Sequence, residues 1–183
     1  MLASAAFLPI IAFSSVLLAQ ESPVGKVFPA GGKWTFEVSE DKFTGALVGV
    51  FELKANEPIS DGIAPGLPSF VIMCGGTIKT AHWMNSKLLS PVVLGKPDII
   101  SPIHESQQMV WLRADGKVHM HWWNMPPDYR TFFVDKHATK ELLRASDVRI
   151  QFRDASEHRQ VAIFSPAGIN EEMLTKACGN MFK

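Results

Sequence analysis

From Lys33 onward the chain is built largely of short stretches in which apolar and polar residues alternate, the period of a half-buried strand. Trp34, Phe36 and Val38 alternate with Thr35 and Glu37, so both aromatic rings share one face. Ala46 to Lys54 (ALVGVFELK) sets Val48, Val50 and Glu52 against Leu47, Phe51 and Leu53, as in a strand covered partly on both sides. Leu67 to Cys74 and Thr77 to Asn85 flank Gly75-Gly76, a two-residue hairpin link. The clearest hairpin joins Gln108–Arg113 to Lys117–Trp123 around Asp115-Gly116. Arg130 to Val134 adds a short strand. Val148–Phe152 and Gln160–Phe164 make a further hairpin across the polar segment Arg153 to Arg159.

Two segments break this period. His137 to Ala145 (HATKELLRA) reads as a helix that buries Leu142 and Leu143 and turns Lys140, Glu141 and Arg144 to solvent. Glu171 to Ala177 reads as a second helix, with Asn170 as its N-cap, two glutamates in the first turn and Cys178-Gly179 as its end. Pro and Gly mark the connections: Gln20 to Gly32 is a loose leader, and Asn56 to Pro68 is a link. Leu88 to Pro102 is irregular, with one edge strand at Val92 to Leu94. Many short strands with two short helices predict a mainly β fold, an antiparallel β-sandwich, with an open barrel as the alternative.

Residues 1–19 (MLASAAFLPIIAFSSVLLA) have the length of a signal-peptide core and are short for a bilayer-spanning helix. No Lys or Arg precedes the apolar run, and Leu17 stands where a small residue is usual. The expected organisation is a signal peptide over 1–19, a flexible leader over 20–32 and a single β-sandwich domain over 33–183. The expected location is periplasmic or secreted, without stable membrane insertion once the signal is removed. Cys74 and Cys178 are the only cysteines. In an oxidising compartment such a pair forms a disulfide, tying the C-terminal helix to the sheet. Closing a loop of that length stabilises the fold by roughly 4–5 kcal/mol in the chain-entropy model. The pair is not a CxxC, which argues against a redox site.

Basic and acidic residues balance at 18 each, so nothing in the charge calls for nucleic acid as a partner. Motifs for a serine nucleophile, a zinc protease, a phosphate loop or a dinucleotide fold are absent, no catalytic residue stands out, and no cofactor is expected. His119 and His121 form an HxH pair, two imidazoles on one strand face. None of His82, His104, His137 or Asp128 stands at a ligand-like spacing from them, so no metal is expected. The pair is read as a solvent-facing strand face, with Met120 and Trp122 turned to the core. Trp122 and Trp123 are adjacent and point to opposite faces, so one of them lies at the surface as the best partner contact. Trp111 and Trp123 are candidates to pair across the hairpin.

Four segments carry a family resemblance. These are Lys33-Trp34 with Val38 to Asp41, Pro68 to Cys74, Val110 to Lys117 followed by the tryptophans, and Phe164 to Gly168 leading to Ala177-Cys178-Gly179. Their order resembles the exported accessory proteins associated with type VI secretion (TagO/VasI-like). Ser165 departs from an aspartate of that pattern, and the Asp115-Gly116 turn is tighter. The resemblance implies a periplasmic, non-catalytic domain with a disulfide, an accessory of an envelope system that binds an envelope protein. The alternatives are an inhibitor of a periplasmic lysozyme or protease, inserting the loop from Lys87 to His104, and a metal-dependent hydrolase using His119 and His121.

Overall fold

The computed structural model describes residues 24–40, 45–60, 65–75, 83–100 and 106–179. The described strands are β1 (Val27–Pro29), β2 (Trp34–Glu40), β3 (Leu47–Lys54), β4 (Ser69–Gly75), β5 (Trp83–Leu89), β6 (Ile99–Ile100), β7 (Ser106–Ala114), β8 (Lys117–Met125), β9 (Thr131–Val134), β10 (Val148–Arg153) and β11 (Arg159–Phe164). Helix α1 (Lys136–Arg144) follows β9, and α2 (Glu171–Cys178) ends the described chain. The protein is mainly β and antiparallel, with the strands in the order β1-β2-β3-β4-β5-β9-β8-β7-β10-β11 and β6 against β7.

Two halves make up this path. β1 to β5 are a meander, and β7, β8, β10 and β11 are two hairpins laid side by side. β9 joins them, pairing with β5 over four residues and with β8 at Asn124 and Phe133. The two halves enclose one core, so the architecture is sandwich-like. Trp34, Phe51, Phe70 and Ile72 from the first half share it with Trp123, Leu112, Ile150, Phe152 and Phe164 from the second. The far ends of the path also meet. Asn56 N–H donates to the Ile163 carbonyl at 2.7 Å, Asn170 N–H to Ala30 at 2.7 Å, and Trp34 Nε1 to Pro166 at 2.7 Å.

Each helix covers part of the inner face of the sheet. α1 buries Ala138, Thr139 and Leu142, and Asp135 caps it by accepting from Ala138 N–H. α2 buries Leu174 and Cys178, with Asn170 accepting from Met173 N–H as its cap. Cys178 is disulfide-bonded to Cys74 of β4, and both sulfurs are buried. Gly49, opposite Cys74 on β3, makes room for this helix: a Cβ there would stand 3.0 Å from both Ala177 and the Phe36 ring.

Several expectations change. β4 and β5 do form an antiparallel pair, but Gly75 lies opposite Trp83, so the link is longer than Gly75-Gly76 and residues 76–82 lie outside the described set. Val92–Leu94 is not a strand; only a single bridge joins Leu94 to Asp154. Within the stretch read as a loose leader, Val27–Pro29 pairs with β2 as an exposed edge. Residues 1–23 lie outside the described set, and so does the signal segment. Among the described residues, no helix is long and apolar enough to cross a membrane.

Candidate functional site

The β7–β8 hairpin turns on Asp115 and Gly116, both with positive φ, as an Asp-Gly hairpin turn requires. The Asp115 carboxylate fastens the turn to the start of β10 by accepting from Ser146 N–H, Ser146 Oγ and Asp147 N–H. The Asp147 amide, the Ser146 hydroxyl and the Ser146 amide together hold its pKa below the usual carboxylate range. This rigid hairpin sets the direction of every side chain on β8.

Those directions are the reverse of the sequence reading. Trp123 is 1% exposed and faces the core, whereas Trp122 is 42% exposed on the outer face. Met120 and Val118 lie on the outer face with Trp122, and His119 and His121 lie on the inner face with Trp123. The reason is Asp135. Its Oδ2 accepts from Trp123 Nε1 at 3.1 Å and lies 3.1 Å from His121 Nδ1, so a histidine is accommodated beneath α1. Burial raises the Asp135 pKa, but the Ala138 amide, the Trp123 indole, the His121 charge and the His137 amide outweigh it and leave the carboxyl below its ordinary range. Trp111 does not pair with Trp123; it faces Met120, on the opposite side of the sheet.

The outer face therefore carries a group of exposed apolar side chains among polar ones. Directly paired residues share a face in an antiparallel sheet. Met109 lies beside Trp122, and Met120, Trp111, Gln151 and Val161 run across β8, β7, β10 and β11 in one row. Trp111 is 41% exposed and Met120 50%. Phe133, also exposed, continues the face onto β9, where Lys87 Nζ lies 5.3 Å from its ring centroid. A groove of about 200 Å³ runs past Trp111, lined by Asp98, Met109, Gln151, Arg153 and Arg159. Arg153 is held there by Glu157 at 2.9 Å and by Asp98.

A different cleft, about 370 Å³, opens between the hairpin tip and the flank of α1. His137 and Glu141, one helical turn apart, face His119 of β8 across it, and one donor atom from each lies within 4.8 Å of the other two. Contrary to the sequence reading, Glu141 is not turned to solvent: its side chain is 16% exposed. Along the sequence His119 pairs with its neighbour His121; in the structure the groups near it are His137, named above among the further ligand candidates, and Glu141, which the sequence reading placed in solvent. Asp128 is not part of this cluster: it accepts from Arg130 N–H, Thr131 N–H and Thr131 Oγ1 in the turn before β9. His82 and His104 lie outside the described residues.

No protein-family model and no curated protein sequence matches the chain. Its fold is similar to that of a solved structure. The crystal structure of invasion associated protein B from Bartonella henselae superposes with a TM-score of 0.51 at 12% sequence identity, over 83% of this chain and 94% of that one. At this identity the likeness is one of architecture, not of site residues.

The segment proposed for an inhibitory loop is sewn to the sheet over its described part. Lys87 to Leu89 belongs to β5. Beyond it, Ser90 N–H donates to Arg130, Leu94 N–H to Tyr129, Gly95 N–H to Arg153 and Asp98 N–H to Gln107. Residues 101–105 lie outside the described set.

Proposed function

We propose that this chain is an exported binding protein, and that the outer face of β8, β7, β10 and β11 is its contact surface for an envelope protein. The observation that carries this reading is the exposure of Trp122, Met120, Trp111 and Val161 together on one face of the sheet. Exposed tryptophans and methionines surrounded by arginines have the composition of a protein interface core and rim. The buried Cys74–Cys178 disulfide supports an oxidising compartment, periplasmic or secreted. The named fold neighbour is an invasion associated protein, which is compatible with a role at the cell envelope. The narrower assignment, to an accessory of type VI secretion, rests on the four sequence segments described above.

A photo-reactive amino acid at Met120 tests the contact surface in cells that export the protein. A defined envelope protein captured at Met120, and not at Thr35 in the first half of the sheet, is the expected result. Trp111→Ser and Trp122→Ser should each lower capture at least fivefold while leaving the melting temperature within a few degrees, since both rings lie outside the core. Equal capture from both positions, or capture indifferent to both tryptophans, removes the proposed face. Recovery of secretion-apparatus subunits supports the accessory role, and recovery of a muramidase or protease supports inhibition.

A further inference from the structure

We infer that His119, His137 and Glu141 form a binding site for a divalent transition metal, with Zn²⁺ as its best-matched ion. The cleft lies on the α1 side of β8, on the face opposite the apolar row, and plays no part in the contact surface proposed above.

The first argument is geometric. Two imidazoles and one carboxylate are the protein ligands of many open zinc sites, in which a fourth position is left for water or a substrate group. A tetrahedral ion with metal–ligand bonds of ~2.0–2.1 Å holds its ligand atoms about 3.3 Å apart. His119 Nδ1 and Glu141 Oε2 already stand 3.2 Å apart, and one donor atom from each of His119, His137 and Glu141 lies within 4.8 Å of the other two. Because His137 is exposed, a rotation of its side chain brings its nitrogen the remaining distance without disturbing the core.

The second argument is that one of these atoms lacks a conventional partner. Glu141 Oε2 is buried and makes no hydrogen bond, although His119 Nδ1 stands 3.2 Å away. A buried carboxylate oxygen left unbonded is costly unless something else satisfies it. A cation seated between it and the two imidazoles does so.

Third, the ligands stand on supported elements. Asp135 caps α1 through Ala138 N–H, and Ala138 and Leu142 anchor the helix in the core, which fixes the flank carrying His137 and Glu141. His119 sits opposite buried Leu112 on the hairpin. Ligands on rigid elements lose little freedom on binding. Lys117, Lys140 and Arg144 line the same cleft. They oppose the ion's charge, and they also favour an anionic group, carboxylate or phosphate, at the fourth position.

Isothermal titration of the tag-free, disulfide-bonded protein with Zn²⁺ alone tests the site. One ion per chain is expected. His119→Ala, His137→Ala and Glu141→Gln should each weaken binding by about tenfold or more, with circular dichroism unchanged. His158→Ala, on the exposed turn between β10 and β11, should leave binding as it was. Co²⁺ in the same site should give visible absorption of tetrahedral intensity that is lost in His137→Ala. Absence of stoichiometric binding overturns the inference, and so does wild-type affinity in His137→Ala or Glu141→Gln. Neither side chain belongs to the set that α1 packs into the core (Ala138, Thr139 and Leu142), so the variants are expected to fold.

Discussion

Asp154 is fully buried at the turn between β10 and β11, and its carboxylate is surrounded by donors. Oδ1 accepts from Ser156 N–H at 2.9 Å and His158 N–H at 3.0 Å, and Oδ2 from Gln160 Nε2 at 2.7 Å. Burial raises its pKa, but the Gln160 amide, the His158 and Ser156 N–H groups and the His158 charge prevail and hold it below the ordinary range. A carboxyl depressed on folding stabilises the native state fully above its unfolded pKa of ~3.9, and that contribution fades as pH falls through the native pKa. Asp154→Asn should therefore cost about 1–3 kcal/mol at pH 7, and the gap to the wild type should narrow below about pH 4. Urea unfolding at pH 7 and pH 3 checks this; an unchanged gap would count against the account. At this scale the sequence was half legible. Adjacent Trp122 and Trp123 had to face opposite ways, and they do. Which one is inside could not be read, because Val118, Met120 and Trp122 form the more apolar row. The inner row of His119, His121 and Trp123 is made compatible with burial by Asp135, a residue 12 positions beyond Trp123.

The two helices differ in what their caps do. The Asn170 side chain accepts from Met173 N–H. Asp135 satisfies Ala138 N–H with one oxygen and receives the buried Trp123 indole and His121 with the other. Asn170→Ala is thus expected to cost about 1 kcal/mol, as an ordinary cap loss. Asp135→Ala should cost about 2–3 kcal/mol, because a buried indole N–H is also left without its acceptor. Chemical denaturation of the two variants gives the comparison, and equal losses would show that the Trp123 contact contributes nothing. Elements with strong local signals were legible: both helices, the Asp115-Gly116 hairpin and the β10–β11 hairpin all stand where periodicity and turn residues put them. The β4–β5 link and the Val92–Leu94 segment were not, because a Gly pair and a β-prone triplet say nothing about the register chosen by neighbouring strands. The flank of α1 was misread for a related reason. Glu141 is polar, yet the hairpin tip closes over it, and only the tertiary position of β8 reveals that.

For the molecule as a whole, the pairings that define the architecture join distant parts of the chain. β5 finds β9, and β7 finds β10, across long insertions, so strand order was beyond local pattern. The cysteine pair was the one long-range contact visible in the sequence. It joins residues 104 positions apart and places α2 on the inner face of β3 and β4. α2 buries only Leu174 and Cys178 fully, with Met173 and Ala177 packed partly against the core. So small an apolar contact holds a two-turn helix weakly by itself, and the covalent link does most of the holding. The double variant Cys74→Ala/Cys178→Ala should lose about 2–5 kcal/mol in denaturant unfolding. The loss should be uneven. Amides of 171–178 should exchange much faster with solvent, while those of β7, β8 and β10, joined in one antiparallel ladder, should keep their order of protection. Met120, Trp111 and Trp122 project from those same strands, so partner capture through the outer face should survive in the double variant under conditions where it stays folded. A variant that loses α2 protection and outer-face capture together would mean that the disulfide organises the whole sheet rather than the helix that lies on it.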